Sequence, residues 1–96
     1  MDNPIKKLNK DFESRVRLGV MSVLSVNEWV DFNTLKDLLE VTDGNLASHI
    51  RSLETSGYLE VRKQFVARKP KTSYNITLKG KKAFSEHLSA LEALLK

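Results

Sequence analysis

The sequence contains no cysteine, which excludes disulfides, thiolate-bound metals and thiol redox switching. No apolar run approaches the roughly 20 residues that cross a bilayer, and no charged-then-apolar leader opens the chain. A soluble, unexported, cytoplasmic protein with no membrane partner is expected. Internal repeats, low-complexity segments and a glycine-rich phosphate loop are also missing. The two histidines are distant in sequence, no hydroxyl residue has a histidine–carboxylate pairing, and the carboxylates are scattered. No enzymatic activity, cofactor or metal is therefore expected. Ninety-six residues suffice for one domain over 1–96 with a single modest core, and leave no room for a separate sensor domain.

What is present is an uneven charge. The net charge is +4, yet residues 1–57 carry seven Lys/Arg against nine Asp/Glu, and residues 58–96 carry nine against three. Within 58–82, eight basic residues face only Glu60. A basic second half beside a near-neutral first half suits contact with a polyanion.

The most informative stretch is 42–56. Thr42 suits a helix N-cap, Asp43 suits the positive end of the dipole, and Gly57 supplies the left-handed stop. Leu46, Ile50 and Leu53 form one narrow apolar stripe. The opposite face carries Gly44, Asn45, Ser48, Arg51, Ser52 and Thr55, which are small, polar and nearly uncharged. Short hydrogen-bonding side chains on an anchored helix suit insertion into a groove.

Before this helix, Asn3 and Pro4 cap a short arm, 4–12, with Asp2 ahead of them and Ile5, Leu8 and Phe12 on one side. At about two turns the arm needs a partner surface. A helix over 13–26 is apolar on most sides, through Val16, Leu18, Val20, Met21, Val23 and Leu24, and should be the centre of the core. Gly19 within it points to a close neighbour. Residues 29–32 could add an edge strand, with Trp29 and Phe32 as core anchors and Met21 as gap filler. Asn33 is expected to cap a helix over 34–40 with Leu35, Leu38 and Leu39 inward, and the tight joint at Val41 makes 34–56 a helix-turn-helix.

After Gly57 the period becomes alternating. Leu59, Val61 and Phe65 share one strand face, with Lys63 inward where the sheet outruns the core. Tyr74 and Ile76 face inward on a return strand, 73–77, and residues 67–72 form an exposed basic tip. Thr77 caps a last helix, 78–95, whose Phe84, Leu88, Leu91 and Leu95 make a heptad seam that invites a partner chain.

The order helix, short strand, helix, helix, basic hairpin resembles the stand-alone winged-helix transcriptional regulators related to the MarR and ArsR families. The resemblance runs from Arg15-Val16-Arg17-Leu18 to Lys79-Gly80. It is carried by Leu35-Lys36-Asp37-Leu38-Leu39, Thr42-Asp43-Gly44-Asn45-Leu46-Ala47-Ser48-His49-Ile50, Leu53-Glu54-Thr55-Ser56-Gly57-Tyr58-Leu59-Glu60-Val61 and Tyr74-Asn75-Ile76-Thr77-Leu78-Lys79-Gly80. It implies an α+β, mostly helical fold: a winged helix-turn-helix with a two- to three-stranded β wing, 58–77, and dimerisation helices at both ends. It further implies a homodimeric regulator of double-stranded DNA, with the 42–56 helix in the major groove and the wing on the backbone or in the minor groove. The cysteine and grouped ligands of ArsR-type metal sensors are absent, so metal sensing is not implied.

The expected DNA contacts are Thr42, Gly44, Asn45, Ser48, His49, Arg51 and Ser52 on the helix, and Lys63, Arg68, Lys69, Lys71 and Thr72 on the wing. Asn45 is the best adenine reader. Thr34 and Lys36 are as readily plain surface as backbone contacts, and a solvated charged loop is the bland alternative for the wing cations. His49 reads as a packed or phosphate-bonded group rather than a switch, and His87 as ordinary surface or interface. Ile5, Leu8, Phe12, Phe84, Leu88, Leu91 and Leu95 are expected at the dimer interface. A small-molecule effector would find room only between the core and the dimer helices, and no residue pattern indicates one. The rival reading is a winged helix that binds protein within a larger assembly.

Overall fold

A computed structural model describes residues 3–96; Asp2, expected just ahead of the Asn3 cap, lies outside the described residues. Two short 3-10 turns, Pro4–Lys7 and Lys10–Phe12, lead into α1 (Arg15–Val26), β1 (Val30–Asp31), α2 (Phe32–Leu39), α3 (Asp43–Thr55), β2 (Leu59–Val66), β3 (Lys69–Ile76) and α4 (Leu78–Leu94). The strands form one antiparallel sheet in the order β1-β3-β2. This is the expected winged helix-turn-helix, with a three-stranded sheet.

Side-chain caps fix the helix starts. Thr42 accepts from the Asn45 amide, Thr77 from the Gly80 amide, and Ser14 from the Arg17 amide. The last of these starts α1 at Arg15, two residues later than the expected 13. Asp31, not Asn33, caps α2: its carboxylate accepts from both the amide and the hydroxyl of Thr34. The helix therefore begins earlier, at Phe32. Gly57 has φ +83° and ends the α3 region as expected. A Cβ on Gly19 would come within 2.5 Å of a Leu39 methyl, so the glycine permits close packing of α1 on α2.

Val20, Met21 and Leu24 of α1 form the core with Leu35 of α2, the α3 stripe Leu46, Ile50 and Leu53, and Leu59, Tyr74 and Ile76 of the sheet. Phe12 and Phe84 belong to the same cluster. Three expectations about burial fail. Leu38 is 61% exposed because α2 is short and only Leu35 reaches the centre. Trp29 is half-exposed rather than a core anchor, lying beside the Arg62 guanidinium at 4.3 Å from its ring centroid. Val61 and Phe65 are exposed because β2 is the uncovered edge strand beyond Leu59, while β3 stays packed as far as Ser73.

The arm also differs. It consists of 3-10 turns, since a second asparagine cap interrupts it: the Asn9 side chain accepts from the Asp11 amide. Phe12 is fully buried, in edge contact with Phe84 at 5.5 Å and close to Tyr58 and His87 at 5.3 Å. Phe12 and Phe84 therefore fill the chain's own core and have no surface left for the dimer contact expected of them.

Candidate nucleic-acid interface

The large apolar residues of α3, Leu46, Ile50 and Leu53, are all buried, which fixes the rotation of the helix. Gly44, Asn45, Ser48 and Arg51 are consequently exposed, and Ser52 is half-exposed beside them. Thr42 is exposed, but its hydroxyl oxygen is already engaged as the cap. A Cβ on Gly44 would meet nothing, so neither packing nor a turn demands glycine there. Asn45 also lines a cleft of about 520 Å³ with Arg15 of α1. Glu40 at the end of α2 lines the same cleft, so its wall carries one charge of each sign.

His49 sits at the rim. The Arg17 side chain donates from Nε to His49 Nδ1 at 2.9 Å. Burial and then the adjacent Arg17 charge push the His49 pKa below 6.5. With Nδ1 accepting, the neutral ring carries its proton on Nε2 and offers a neutral donor at its other edge. Arg17 and His49 are 32 residues apart, so no local pattern in the sequence could pair them.

The preceding helix is differently arranged. Lys36 forms an ion pair with Asp43 at 2.8 Å, and the Asp43 carboxylate raises the lysine pKa. The Thr34 hydroxyl is bound to Asp31, which lowers the Asp31 pKa. Thr34 thus belongs to the cap of α2, and Lys36 reaches from α2 to the start of α3 through an exposed ion pair.

In the wing, the expected loop at 67–72 is much shorter. Only Ala67 and Arg68 form the turn, with φ of +51° and +65°, while Lys69, Lys71 and Thr72 belong to β3. Two positive φ values match the right-handed twist of a hairpin, but glycine or asparagine normally supplies them. Two ordinary residues there store local strain at the tip. Alternation puts Arg62, Lys69 and Lys71 on one face of the hairpin and Lys63 and Thr72 on the other, with Arg68 at the end. The structure thus gathers the wing cations on one projecting element. Arg62, held against Trp29 at the root, joins them although the sequence pattern did not single it out.

A polar network ties this surface to the rest of the chain. The Asn9 amide donates to His87 Nδ1 at 2.9 Å, and the Asn9 side chain donates to the Tyr58 hydroxyl at 2.9 Å. Two residues on, the Asp11 carboxylate accepts from Ser56 at the end of α3. His87 is only 4% exposed, which corrects its expected surface position. Burial pushes its pKa below 6.5, opposed by the Glu13 carboxylate. Among the described residues, no group of three or more His, Asp or Glu side chains is placed to hold a metal.

The outer side of α4 is apolar. Leu88, Leu91, Leu94 and Leu95 are 36–87% exposed, and Ile5 of the arm is 58% exposed. Leu8 is half-buried. Between arm and helix runs a groove of about 570 Å³ lined by Pro4, Lys7, Ser85, Ser89, Ala90 and Ala93.

Residues 16–95 match the winged helix DNA-binding domain family. An uncharacterized protein of Methanocaldococcus jannaschii, MJ0432, is 38% identical over 87 residues, which are 91% of this chain and 95% of that protein. The solved structure of a transcriptional regulator homologue from Pyrococcus horikoshii has a TM-score of 0.88 at 33% identity, covering 98% of this chain and 95% of that one. MarR shares the fold, with a TM-score of 0.77 at 18% identity over 92% of this chain and 64% of its own.

Proposed function

Because this chain belongs to the winged helix DNA-binding domain family and has the fold of transcriptional regulators, we propose that it regulates transcription as a homodimer reading double-stranded DNA. In this reading α3 enters the major groove, with Asn45, Ser48, Arg51 and Ser52 at base edges. The wing cations Lys63, Arg68, Lys69 and Lys71 lie along the backbone or minor groove, with Thr72 beside them. The observation that carries the reading is one pairing: a rigidly anchored helix with a small, hydrogen-bonding, nearly uncharged outer face, beside a projecting cationic hairpin. His49, held by Arg17, adds a neutral donor suited to a phosphate oxygen. Arg51 is the lone cation on the outer face, so phosphate contacts by the wing supply most of the affinity.

The dimer would form through the exposed leucines of α4 with Ile5 and Leu8. A surface of this kind on a soluble regulator calls for cover, and a second copy also supplies the second α3. A protein-binding α3 would present large apolar side chains outward. Here Leu46, Ile50 and Leu53 are all buried, which disfavours that alternative.

Selection of bound duplexes from a random pool tests the proposal. Enriched sites are expected to contain inverted half-sites about one helical turn apart, or a multiple of that. A pool that returns no enriched sequence would overturn it.

A further inference from the structure

The wing carries one large group that phosphate contact leaves unused. Phe65 is 79% exposed on a hairpin whose residues 62–71 include five cations and no anion. The two-residue turn makes Val66 and Lys69 a hydrogen-bonded pair, so the next pair, Phe65 and Pro70, is of the non-hydrogen-bonded kind, where cross-strand side chains stand closest. The missing amide of Pro70 therefore breaks no bond to β2. On its other side β1 reaches β3 only at Ser73 and Tyr74, so nothing is lost there either. Phe65 and Pro70 form a compact apolar ridge just behind the tip. It lies on the sheet face of Leu59 and Ile76, continued past the point where the body ends.

We propose that Phe65, backed by Pro70, packs into the minor groove of the bound duplex and helps determine base-pair preference there by sensing groove shape. The inference rests on the DNA-binding reading above. Charge selects the occupant. An apolar protein surface seated on Phe65 would have to lie beside Lys63 on the same face and Arg68 at the tip, with Arg62, Lys69 and Lys71 on the reverse face, whereas a duplex presents two phosphate ridges flanking a narrow groove whose walls are deoxyribose. The hairpin sets one apolar ridge between Lys63 on its own face and Arg68 at the tip, with the remaining cations behind it. Aromatic and aliphatic side chains can enter this groove, and preference then follows from its sequence-dependent width and stiffness.

The test compares wild type, Phe65→Ala, Phe65→Leu and Arg68→Ala on a selected duplex over a range of salt. Phe65→Ala should weaken binding about tenfold at every salt concentration with an unchanged slope, because an apolar contact releases no counterions. Phe65→Leu keeps apolar bulk and should stay within roughly threefold of wild type. Arg68→Ala should instead flatten the slope by about 2 in a dimer. Site selection with Phe65→Ala should lose preference only at base pairs flanking those read by α3. Wild-type affinity for Phe65→Ala, or a flattened slope, would overturn the assignment. So would a change of oligomeric state on sedimentation, which would make Phe65 a contact between copies of the chain. Failure of the wild type to bind any duplex is a different outcome, and removes the underlying reading as well.

Discussion

Phe12→Ala separates an arm that belongs to the fold from an arm that serves only a partner chain. The side chain is fully buried and touches Tyr58, Phe84 and His87, which come from the sheet root and α4. Truncation removes its transfer free energy and leaves a cavity between elements that α3 and α4 pin in place, a loss of about 3–5 kcal/mol. For a domain of 96 residues, a loss near 4 kcal/mol lowers Tm by roughly 15–30 °C. Total stability is typically about 5–15 kcal/mol, so the variant should be marginal at ambient temperature. Urea unfolding followed by circular dichroism, at two protein concentrations tenfold apart, measures the effect. The same large loss at both is expected. A loss below about 1 kcal/mol, or one recovered at the higher concentration, would show that Phe12 works between chains and refute the packing argument.

Leu88→Glu with Leu91→Glu should convert a dimer to a monomer on sedimentation, because two carboxylates buried in an apolar interface cost several kcal/mol. A monomeric wild type at micromolar concentration would remove that interface. Alanine at Arg68, Lys69 and Lys71 together should weaken binding to all duplexes alike and flatten the salt slope by about 5, from six contacts per dimer. An unchanged slope would make the hairpin a bystander. Stability should be full above pH 6.5 and fall as the pH drops below it. His49 and His87 each accept a hydrogen bond at Nδ1 and have depressed pKa values, so the unfolded chain takes up protons first. Paired His49→Gln and His87→Gln should flatten this decline in a pH series of urea midpoints; an unaltered decline would assign it to other groups.

The fold was largely legible because its signals are local. The caps at Thr42 and Thr77, the stop at Gly57, the 46–50–53 stripe and the change to alternation after residue 57 each lie within a few residues. Errors arose where a distant partner decides the outcome. Phe12 and Leu8 have the same periodic standing in the arm, yet only Phe12 finds the gap between Tyr58, Phe84 and His87. Phe84 begins an unbroken heptad seam, but α4 turns Phe84 toward the body and the later leucines of the seam away. The turn at Ala67-Arg68 has no local signal because neither residue is a turn former, and the basic residues after it look like loop although they pair with β2. Arg17 with His49, and Arg62 with Trp29, join positions too far apart for any spacing rule.

The central claim is that the outer face of α3 reads base pairs, and comparison of selected sequence profiles for wild type, Asn45→Ala and Ser48→Ala tests it most directly. Both side chains are exposed and opposite the buried stripe, so the fold should be unaffected. Each variant should relax preference at its own base pair, by about 1–3 kcal/mol for a good contact, while affinity for non-specific duplex changes little. Profiles identical to wild type in both variants would contradict major-groove reading by α3.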